Sequence, residues 1–309
     1  MLPLLPLPPL PARRATVMPV LAILLGATSW GIIWYPFRVM DAAGLPSPVA
    51  TLVAYLVATI TGGILLRHVW REFAPHARWL AAIGITAGVT NVAYLVSIMH
   101  AEVVRIVLLF YLAPLWTIPL AHVILQERLT RNGYAIMLIA FSGAVVMLWR
   151  PELGLPAPRN GYEWLGLAAG FTFALCNVLV KAAIGPSAAA KSLAGCIGVL
   201  LVASPVALML VPGPTHWLTL AGPHALLLIA LGVMLIATSV ALQYGLTHLS
   251  ANRAAVIMLF EIVVAAIAAH YLANEVTRGE DWIGGAMIVA AGMFATIAES
   301  RKHLPALKT

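Results

Sequence analysis

Ten apolar segments, each 17 to 24 residues long, make up most of this chain. An α-helix rises about 1.5 Å per residue, so about 20 residues cross the hydrocarbon core of a bilayer. The segments lie at residues 17–38, 48–66, 79–99, 103–125, 133–149, 162–182, 189–211, 224–247, 251–272 and 282–299. The sequence therefore predicts an all-α integral membrane protein with ten transmembrane helices, antiparallel to their neighbours because the connections are short.

The composition excludes a soluble protein. Charged residues make up 9% of the chain and hydrophobic residues 62%, whereas soluble domains carry about 25% charged residues. The net charge is +7, and the charged residues lie mostly between the apolar segments. This placement indicates that the basic residues orient the chain in the membrane and do not bind nucleic acid. The two cysteines, Cys176 and Cys196, lie inside apolar segments, so we expect no disulfide framework, no metal site and no cofactor.

The basic residues predict the orientation. With the N-terminus in the cytoplasm, 13 of the 18 Lys and Arg residues fall on the cytoplasmic side. The five on the opposite side are Arg38, Arg105, Arg150, Arg159 and Arg278. This bias predicts a multi-pass protein of a bacterial-type inner membrane, with both termini cytoplasmic. Residues 1–16 are expected to be a disordered leader and residues 300–309 a tail, since the Pro-rich start lacks the order of a signal peptide.

An internal repeat relates the two halves. An offset of 148 residues pairs Arg105 with Arg253, His122 with His270, and Glu127 with Glu275. We therefore predict a first five-helix repeat at 17–149, an external linker at 150–161 and a second repeat at 162–299. An odd number of helices per repeat inverts the second half relative to the first, and transporters of this kind bind substrate near the midplane between the halves.

Short motifs in corresponding places of the two halves resemble the EamA family of the drug/metabolite transporter superfamily. They are Tyr111-Leu-Ala-Pro114, Glu127-Arg-Leu-Thr130 and Gly143 in the first half, and Phe260-Glu261, Glu275-Val-Thr277 and Gly292 in the second. The resemblance implies a ten-helix basket with a central cavity and alternating access. It departs at Ile262, where family members often have proline after the glutamate, so the bend that proline would cause in the ninth helix is in doubt.

Glu261 is the one carboxylate in the apolar run 251–272 and is expected near the bilayer midplane. An ionised side chain there costs at least a few kcal/mol, which is typical of a functional residue. It would bind the cationic group of a substrate or act as a proton-coupling site. The alternative is a hydrogen-bonded glutamic acid that only holds helices together.

Other polar, aromatic and proline residues at helical spacing are candidates to line or move the site. An interfacial or packing role is the alternative for each of them. The predicted substrate-binding residues besides Glu261 are Trp30, Trp34, Asn91, Tyr94, Tyr111, Asn177, Gln243 and Tyr244, and the predicted hinge is Pro114.

These features predict a secondary transporter, not an enzyme. We expect it to move small metabolites, in the first place amino acids or related amphipathic solutes, by alternating access and as an exporter. Alternatives are import, another cargo such as a nucleobase, nucleoside, organic cation or drug, and a channel or membrane-embedded enzyme. Expected partners are the substrate and membrane lipids, with protons as a further candidate and no nucleic acid. The chain is expected to be a monomer, with a dimer as the alternative.

Overall fold

The computed structural model of the chain describes residues 12–101, 103–149, 157–211, 213, 217–273 and 278–302. Within these ranges the chain is helical apart from short turns and connections. The first half contains α1 (Ala12–Ala42), α2 (Ser47–Leu65), α3 (Ala77–His100), α4a (Val103–Phe110), α4b (Ala113–Leu125) and α5 (Arg131–Leu148).

The second half repeats this order. It contains α6 (Gly161–Ala182), α7 (Ala188–Leu210), α8 (Ala225–His248), α9a (Ala251–Met258), α9b (Phe260–Ala273) and α10 (Gly279–Lys302). Short helical turns at Trp70–Phe73 and Trp217–Ala221 lie in the connections before α3 and α8. The prediction of an all-α protein with two five-helix repeats is confirmed.

Nine spans in the described part of the chain are long and apolar enough to cross a membrane. α4a with α4b, and α9a with α9b, each count as one span. α10 completes the ten, although charged residues at both of its ends shorten its uncharged stretch to residues 282–298. α1 begins at Ala12, inside the predicted leader, and residues 1–11 lie outside the described ranges.

Side-chain caps fix where several helices begin. Thr130, Asn160 and Ser187 each accept a hydrogen bond from the backbone N–H three residues ahead, at 3.2, 2.9 and 3.2 Å. Each bond satisfies a backbone donor that a helix start leaves without an intrahelical partner. These three caps start α5, α6 and α7 close to the boundaries that hydropathy predicts.

The two halves interlock instead of lying side by side. α1 packs against α8 and both parts of α9, and in the same way α6 packs against α3 and both parts of α4. Close backbone approach also joins α3 to α7: a β-carbon on Gly88 would lie 2.5 Å from the Gly198 carbonyl oxygen, and one on Gly84 would lie 2.8 Å from that of Ala194. Small residues allow such contacts between membrane helices.

The last helix of each half packs against its counterpart. α5 and α10 meet at Gly143 and Gly284, where a β-carbon on Gly143 would lie 2.6 Å from the Gly284 carbonyl oxygen. Gly143 is part of the repeated motif, and its role here is helix packing.

The fourth and ninth helices are interrupted at corresponding positions. α4a spans 103–110 and α9a spans 251–258, and both ends of these segments differ by 148 residues, the offset of the repeat. The ninth helix, whose bend the sequence left in doubt, is thus interrupted without a proline at position 262. α9a ends at Met258 and α9b starts at Phe260, although neither proline nor glycine is present there. Leu259, between the two parts, keeps a right-handed helical backbone with φ −60° and ψ −16°, and α1 packs against both parts of α9.

Polar contacts gather at the two ends of the bundle. At one end Arg105 forms a buried ion pair with Glu163, at 2.8 and 3.0 Å, and also donates to the Ala157 carbonyl oxygen. At the other end the Ser187 backbone N–H donates to the Glu72 carboxylate at 2.6 Å, and the Ala251 N–H donates to Glu127 at 3.1 Å. Both ends thus carry polar links between the two halves.

Candidate functional site

The two helix interruptions meet at the centre of the molecule. Tyr111 follows the end of α4a, and Glu261 lies in the first turn of α9b. α1 passes directly behind Glu261, because a β-carbon on Gly31 would lie 2.8 Å from the Glu261 carbonyl oxygen. Interrupted helices are a common way to bring polar groups into a transporter's binding site.

Aromatic rings from α3, from α6 and from the break after α4a surround Phe110, the last residue of α4a. Its ring centroid lies 4.9 Å from that of Tyr94 on α3, 5.2 Å from that of Phe173 on α6, and 5.5 Å from that of Tyr111. These distances lie in the range of about 4.5–7 Å in which aromatic pairs attract each other, and the Phe110–Tyr111 pair is edge-to-face, at 85°. This aromatic cluster joins the first half to α6 of the second.

Glu261 faces this cluster. The Tyr111 side chain lies close to the Glu261 carboxyl group, and Tyr94 lies near it as well. All three side chains are surrounded by protein, yet each keeps part of its surface accessible. That combination is expected of residues that line an internal cavity, so Glu261 faces the interior and not the lipid.

A second layer lies about one helical turn along α6 and α9. The Asn177 amide donates to the sulfur of Met258 at 3.7 Å, a weak contact. Gln243 on α8 is buried, and among the described residues its side-chain oxygen has no hydrogen-bond partner. Two amide side chains at this level, one with an unused acceptor, can receive a polar ligand.

A third layer closes this end of the bundle. The Lys181 ammonium donates to the Thr247 carbonyl oxygen at 2.8 Å, and fully buried Lys191 donates to the Val180 carbonyl oxygen at 2.8 Å and to the Thr247 hydroxyl at 3.1 Å. Both lysines thus bind the C-terminal turns of α6 and α8, where the helix dipole favours positive charge. Asn177 precedes Lys181 by four residues on α6, and Gln243 precedes Thr247 by four residues on α8. The two amides therefore lie one helical turn further from this end of the bundle, on the same helix faces as Lys181 and Thr247.

The contacts of the remaining predicted residues are with partners other than Glu261. Asn91 donates to the Tyr55 hydroxyl at 3.5 Å, between α3 and α2. Trp30 packs on an apolar cluster formed by α1, α2, α7 and α8, and the Trp34 ring lies 6.0 Å from the Arg38 guanidinium on its own helix. The Tyr244 ring packs against His248, 4.2 Å away near the end of α8.

Pro114 is buried in the first turn of α4b, just after the interruption. Proline fits this position because the first helical turn needs no backbone N–H donor. A hinge role for Pro114 stays a prediction.

The sequence analysis did not identify Phe110 as the central ring of the aromatic cluster. It also did not predict that Lys191 is buried. The repeat offset contained a signal for Phe110, because it pairs with Met258 and both end the first part of an interrupted helix. Lys191 has the sequence position of an ordinary interfacial lysine, and only the packing of α7 buries it.

The site combines one carboxyl group with aromatic faces. A carboxylate attracts a cation, and aromatic rings attract both cations and apolar groups. Within the described ranges no three His, Cys, Asp or Glu side chains come together as metal ligands. The arrangement therefore favours reversible binding of a small organic molecule with a cationic group and an apolar body.

Similar proteins share most of the chain at low identity. The S-adenosylmethionine uptake transporter of Rickettsia prowazekii (strain Madrid E) is 25% identical over 228 residues, 74% of each chain. The transporter of the same description from Rickettsia felis (strain URRWXCal2) is 26% identical over 234 residues, 74% of this chain and 76% of the relative. An uncharacterized transporter of Archaeoglobus fulgidus is 25% identical over 227 residues, 73% of this chain and 78% of the relative.

The fold also matches a solved crystal structure of a protein, with a TM-score of 0.72 and 21% sequence identity. The match covers 94% of this chain and 99% of that one, and at this identity it shows the fold alone. A family model describes both halves: the EamA-like transporter family matches residues 17–149 and again residues 161–297. With both repeats matched, the chain belongs to the EamA-like transporter family, and it is a multi-pass membrane transporter.

Proposed function

We propose that this protein is a secondary transporter for amino acids or related amphipathic solutes that carry a cationic group. The proposal rests on the closeness of Glu261 to Tyr111 and Tyr94, beside the interruptions of the fourth and ninth helices. Glu261 would bind the amino or other cationic group of the cargo. The ring faces around Phe110 would hold its apolar part.

The names of the Rickettsia relatives support this cargo class. S-adenosylmethionine is an amino-acid derivative with a positive sulfonium centre, so a carboxylate within an aromatic cluster suits it as well as it suits a simple amino acid. Those names say uptake, whereas the run from Glu102 to Pro114 is loosely similar to amino-acid exporters. We keep export as the direction to test first and measure both directions in the same assay.

Alternating access would move the two halves around this site. Glu261 can also couple transport to protons, because a protonated carboxyl no longer attracts a cation and would release it. In that case the cargo and the proton compete for the same side chain, and flux depends on the proton gradient.

The test is flux in proteoliposomes with a labelled panel of amino acids and S-adenosylmethionine, with and without a proton gradient. Glu261→Gln keeps the shape of the side chain and removes its charge. Loss of a charged hydrogen bond of about 1.5–3 kcal/mol corresponds to a loss of flux of roughly 10- to 100-fold for a cationic cargo. Glu280→Gln is the matched control, because Glu280 is exposed in the first turn of α10.

Equal flux in wild type and Glu261→Gln would contradict a binding or coupling role for Glu261 and leave it a structural residue. Flux that is lost in the variant without any gradient dependence would support cargo binding and contradict proton coupling. No flux of any compound in the panel would contradict this cargo class and favour the alternatives, a nucleobase, nucleoside or neutral drug.

A further inference from the structure

A pair of polar side chains, Tyr55 and Asn91, lies inside the bundle between α2 and α3. The Asn91 amide donates to the Tyr55 hydroxyl at 3.5 Å. Tyr55 is 8% exposed and belongs to the apolar core around α2, so Asn91 points into the bundle and not toward lipid. An amide and a phenol in the middle of membrane helices need polar partners, because polar groups without them are costly there.

This pair has hydrogen-bonding capacity that the protein does not use. Asn91 keeps part of its surface accessible, and among the described residues its side chain bonds to Tyr55 and to no other. At 3.5 Å the bond is long and weak, so a stronger acceptor can replace it. The Asn91 amide has two N–H donors, and the Tyr55 hydroxyl, which accepts from Asn91, still has a proton to donate. The pair can therefore donate to both oxygens of one carboxylate.

α3 brings this pair close to the central site. Asn91 and Tyr94 are three residues apart on α3, so their β-carbons lie about 5–6 Å from each other on one side of the helix. The Tyr94 ring packs on Phe110 and lies near Glu261. A molecule held by Glu261 thus lies within one helical turn of Asn91 on this helix.

α1 also borders both places with consecutive residues. Trp30 packs on the apolar cluster that contains Tyr55. The next residue, Gly31, adjoins the Glu261 backbone, since a β-carbon on Gly31 would lie 2.8 Å from the Glu261 carbonyl oxygen. The pair and Glu261 are therefore separated by no more than the width of one helix, and a single small molecule can contact both.

The helix that carries Asn91 is held firmly. The Thr90 hydroxyl donates to the Thr172 hydroxyl on α6 at 2.8 Å, directly beside Asn91 in the sequence. One turn earlier on α3, Gly88 lies against the Gly198 backbone of α7. Such packing fixes the direction of the Asn91 side chain, as a selective binding site requires.

We propose that Asn91 and Tyr55 bind the carboxylate of the cargo while Glu261 binds its cationic group, so that the protein prefers zwitterionic amino acids or amino-acid derivatives to simple organic cations. This inference rests on the proposed function and adds the residues that select the carboxylate. The donors are neutral, so they bind a carboxylate without neutralising Glu261. A cargo that lacks the carboxylate leaves these donors without an acceptor, which is how binding sites reject such analogues.

The test measures equilibrium binding to the purified full chain in detergent. The probes are labelled L-phenylalanine and L-methionine, each paired with the amine that lacks only the carboxylate, which for phenylalanine is phenylethylamine. Each amine keeps the cation and the apolar body of its amino acid. Wild type should bind the amino acid at least about tenfold more tightly than the amine, the effect expected of a hydrogen bond to a charged group.

Asn91→Leu and Tyr55→Phe remove the proposed donors and nearly keep the size of the side chains. Each should weaken binding of the amino acid roughly tenfold more than binding of the amine. Tyr134→Phe and Asn132→Leu make the same changes at exposed positions of α5 and should leave the preference as in wild type. Thermal unfolding checks that each variant is folded.

Glu261→Gln separates this inference from the proposed function. It should weaken both members of each pair and keep their ratio, because it removes the partner of the cation that they share. Unchanged binding of both members in Glu261→Gln would overturn the cation site, and the joint site proposed here with it.

A preference for the amino acid that survives both Asn91→Leu and Tyr55→Phe would overturn the carboxylate site. The pair would then only hold α2 against α3. Equal binding of amine and amino acid in wild type would also overturn it, while the cation site of the proposed function would stand. Absence of binding by both pairs would overturn the amino-acid cargo class and the carboxylate site together.

Discussion

At the scale of single residues, Arg105 and Glu163 form a buried ion pair that joins the two halves. Arg105 donates to both carboxylate oxygens, and Glu163 also accepts from the Arg159 backbone N–H at 2.9 Å. Both side chains are 5% exposed. A buried charge without its partner costs far more than a buried pair, so the two residues depend on each other.

We expect Glu163→Ala to destabilise the protein by roughly 3–5 kcal/mol, because it leaves the Arg105 guanidinium buried without its carboxylate. Thermal unfolding in detergent should show this as a clear fall in Tm, and Glu280→Ala, at an exposed carboxylate, should leave Tm unchanged. The double variant Arg105→Met with Glu163→Leu should recover much of the loss, since it removes both charges. An equal Tm for Glu163→Ala and Glu280→Ala would contradict the importance of the pair.

At the scale of helices, the chain combines close glycine contacts with two interruptions. α3 and α7 approach so closely that a β-carbon on Gly198 would overlap the Gly84 carbonyl group. One turn earlier on α7, a β-carbon on Gly195 would meet only the Ala87 side chain, at 3.9 Å. The two glycines of α7 therefore differ in what they do, although the sequence gives them the same appearance.

Gly198→Ala should destabilise the protein by about 1–3 kcal/mol, because the added methyl group forces α3 and α7 apart. Gly195→Ala on the same helix should be neutral or stabilising by up to about 1 kcal/mol, because alanine favours helix and the space is open. Unfolding of the two variants side by side gives the comparison. A Gly198→Ala variant as stable as Gly195→Ala would show that the two helices do not need this contact.

At the scale of the whole molecule, the basic residues that make polar contacts lie at the two ends of the bundle. Their positions agree with helices that cross the membrane in alternating directions. Arg105 and Arg278 bind groups at one end of the bundle, where Arg278 donates to the Met147 carbonyl oxygen at 2.8 Å. Lys181 and Lys191 bind groups at the other end. Arg105 and Arg278 belong to the five basic residues on one side of the membrane, and Lys181 and Lys191 belong to the 13 on the other side. The side with 13 basic residues is expected to face the cytoplasm.

Both termini should therefore be cytoplasmic. In a bacterial host, green fluorescent protein fused after Thr309 should fluoresce, and alkaline phosphatase at the same place should be inactive. Alkaline phosphatase fused after Trp149, at the end of α5, should be active, because five helices would carry it across the membrane. The reverse pattern would contradict the orientation and with it the count of basic residues.

The sequence by itself determined the ten helices, the two repeats and the family, because hydropathy and motif spacing are properties of the chain over short distances. It also led to Glu261 and Tyr111, since a carboxylate in an apolar helix is unusual wherever its neighbours lie.

Only the tertiary structure shows where α9 is interrupted, since no proline or glycine stands at or beside Leu259. It likewise decided that Phe110 stands among Tyr94, Tyr111 and Phe173, and that Lys191 is buried between helix ends. These contacts join residues far apart in the chain, and their free energy depends on the geometry of several helices at once.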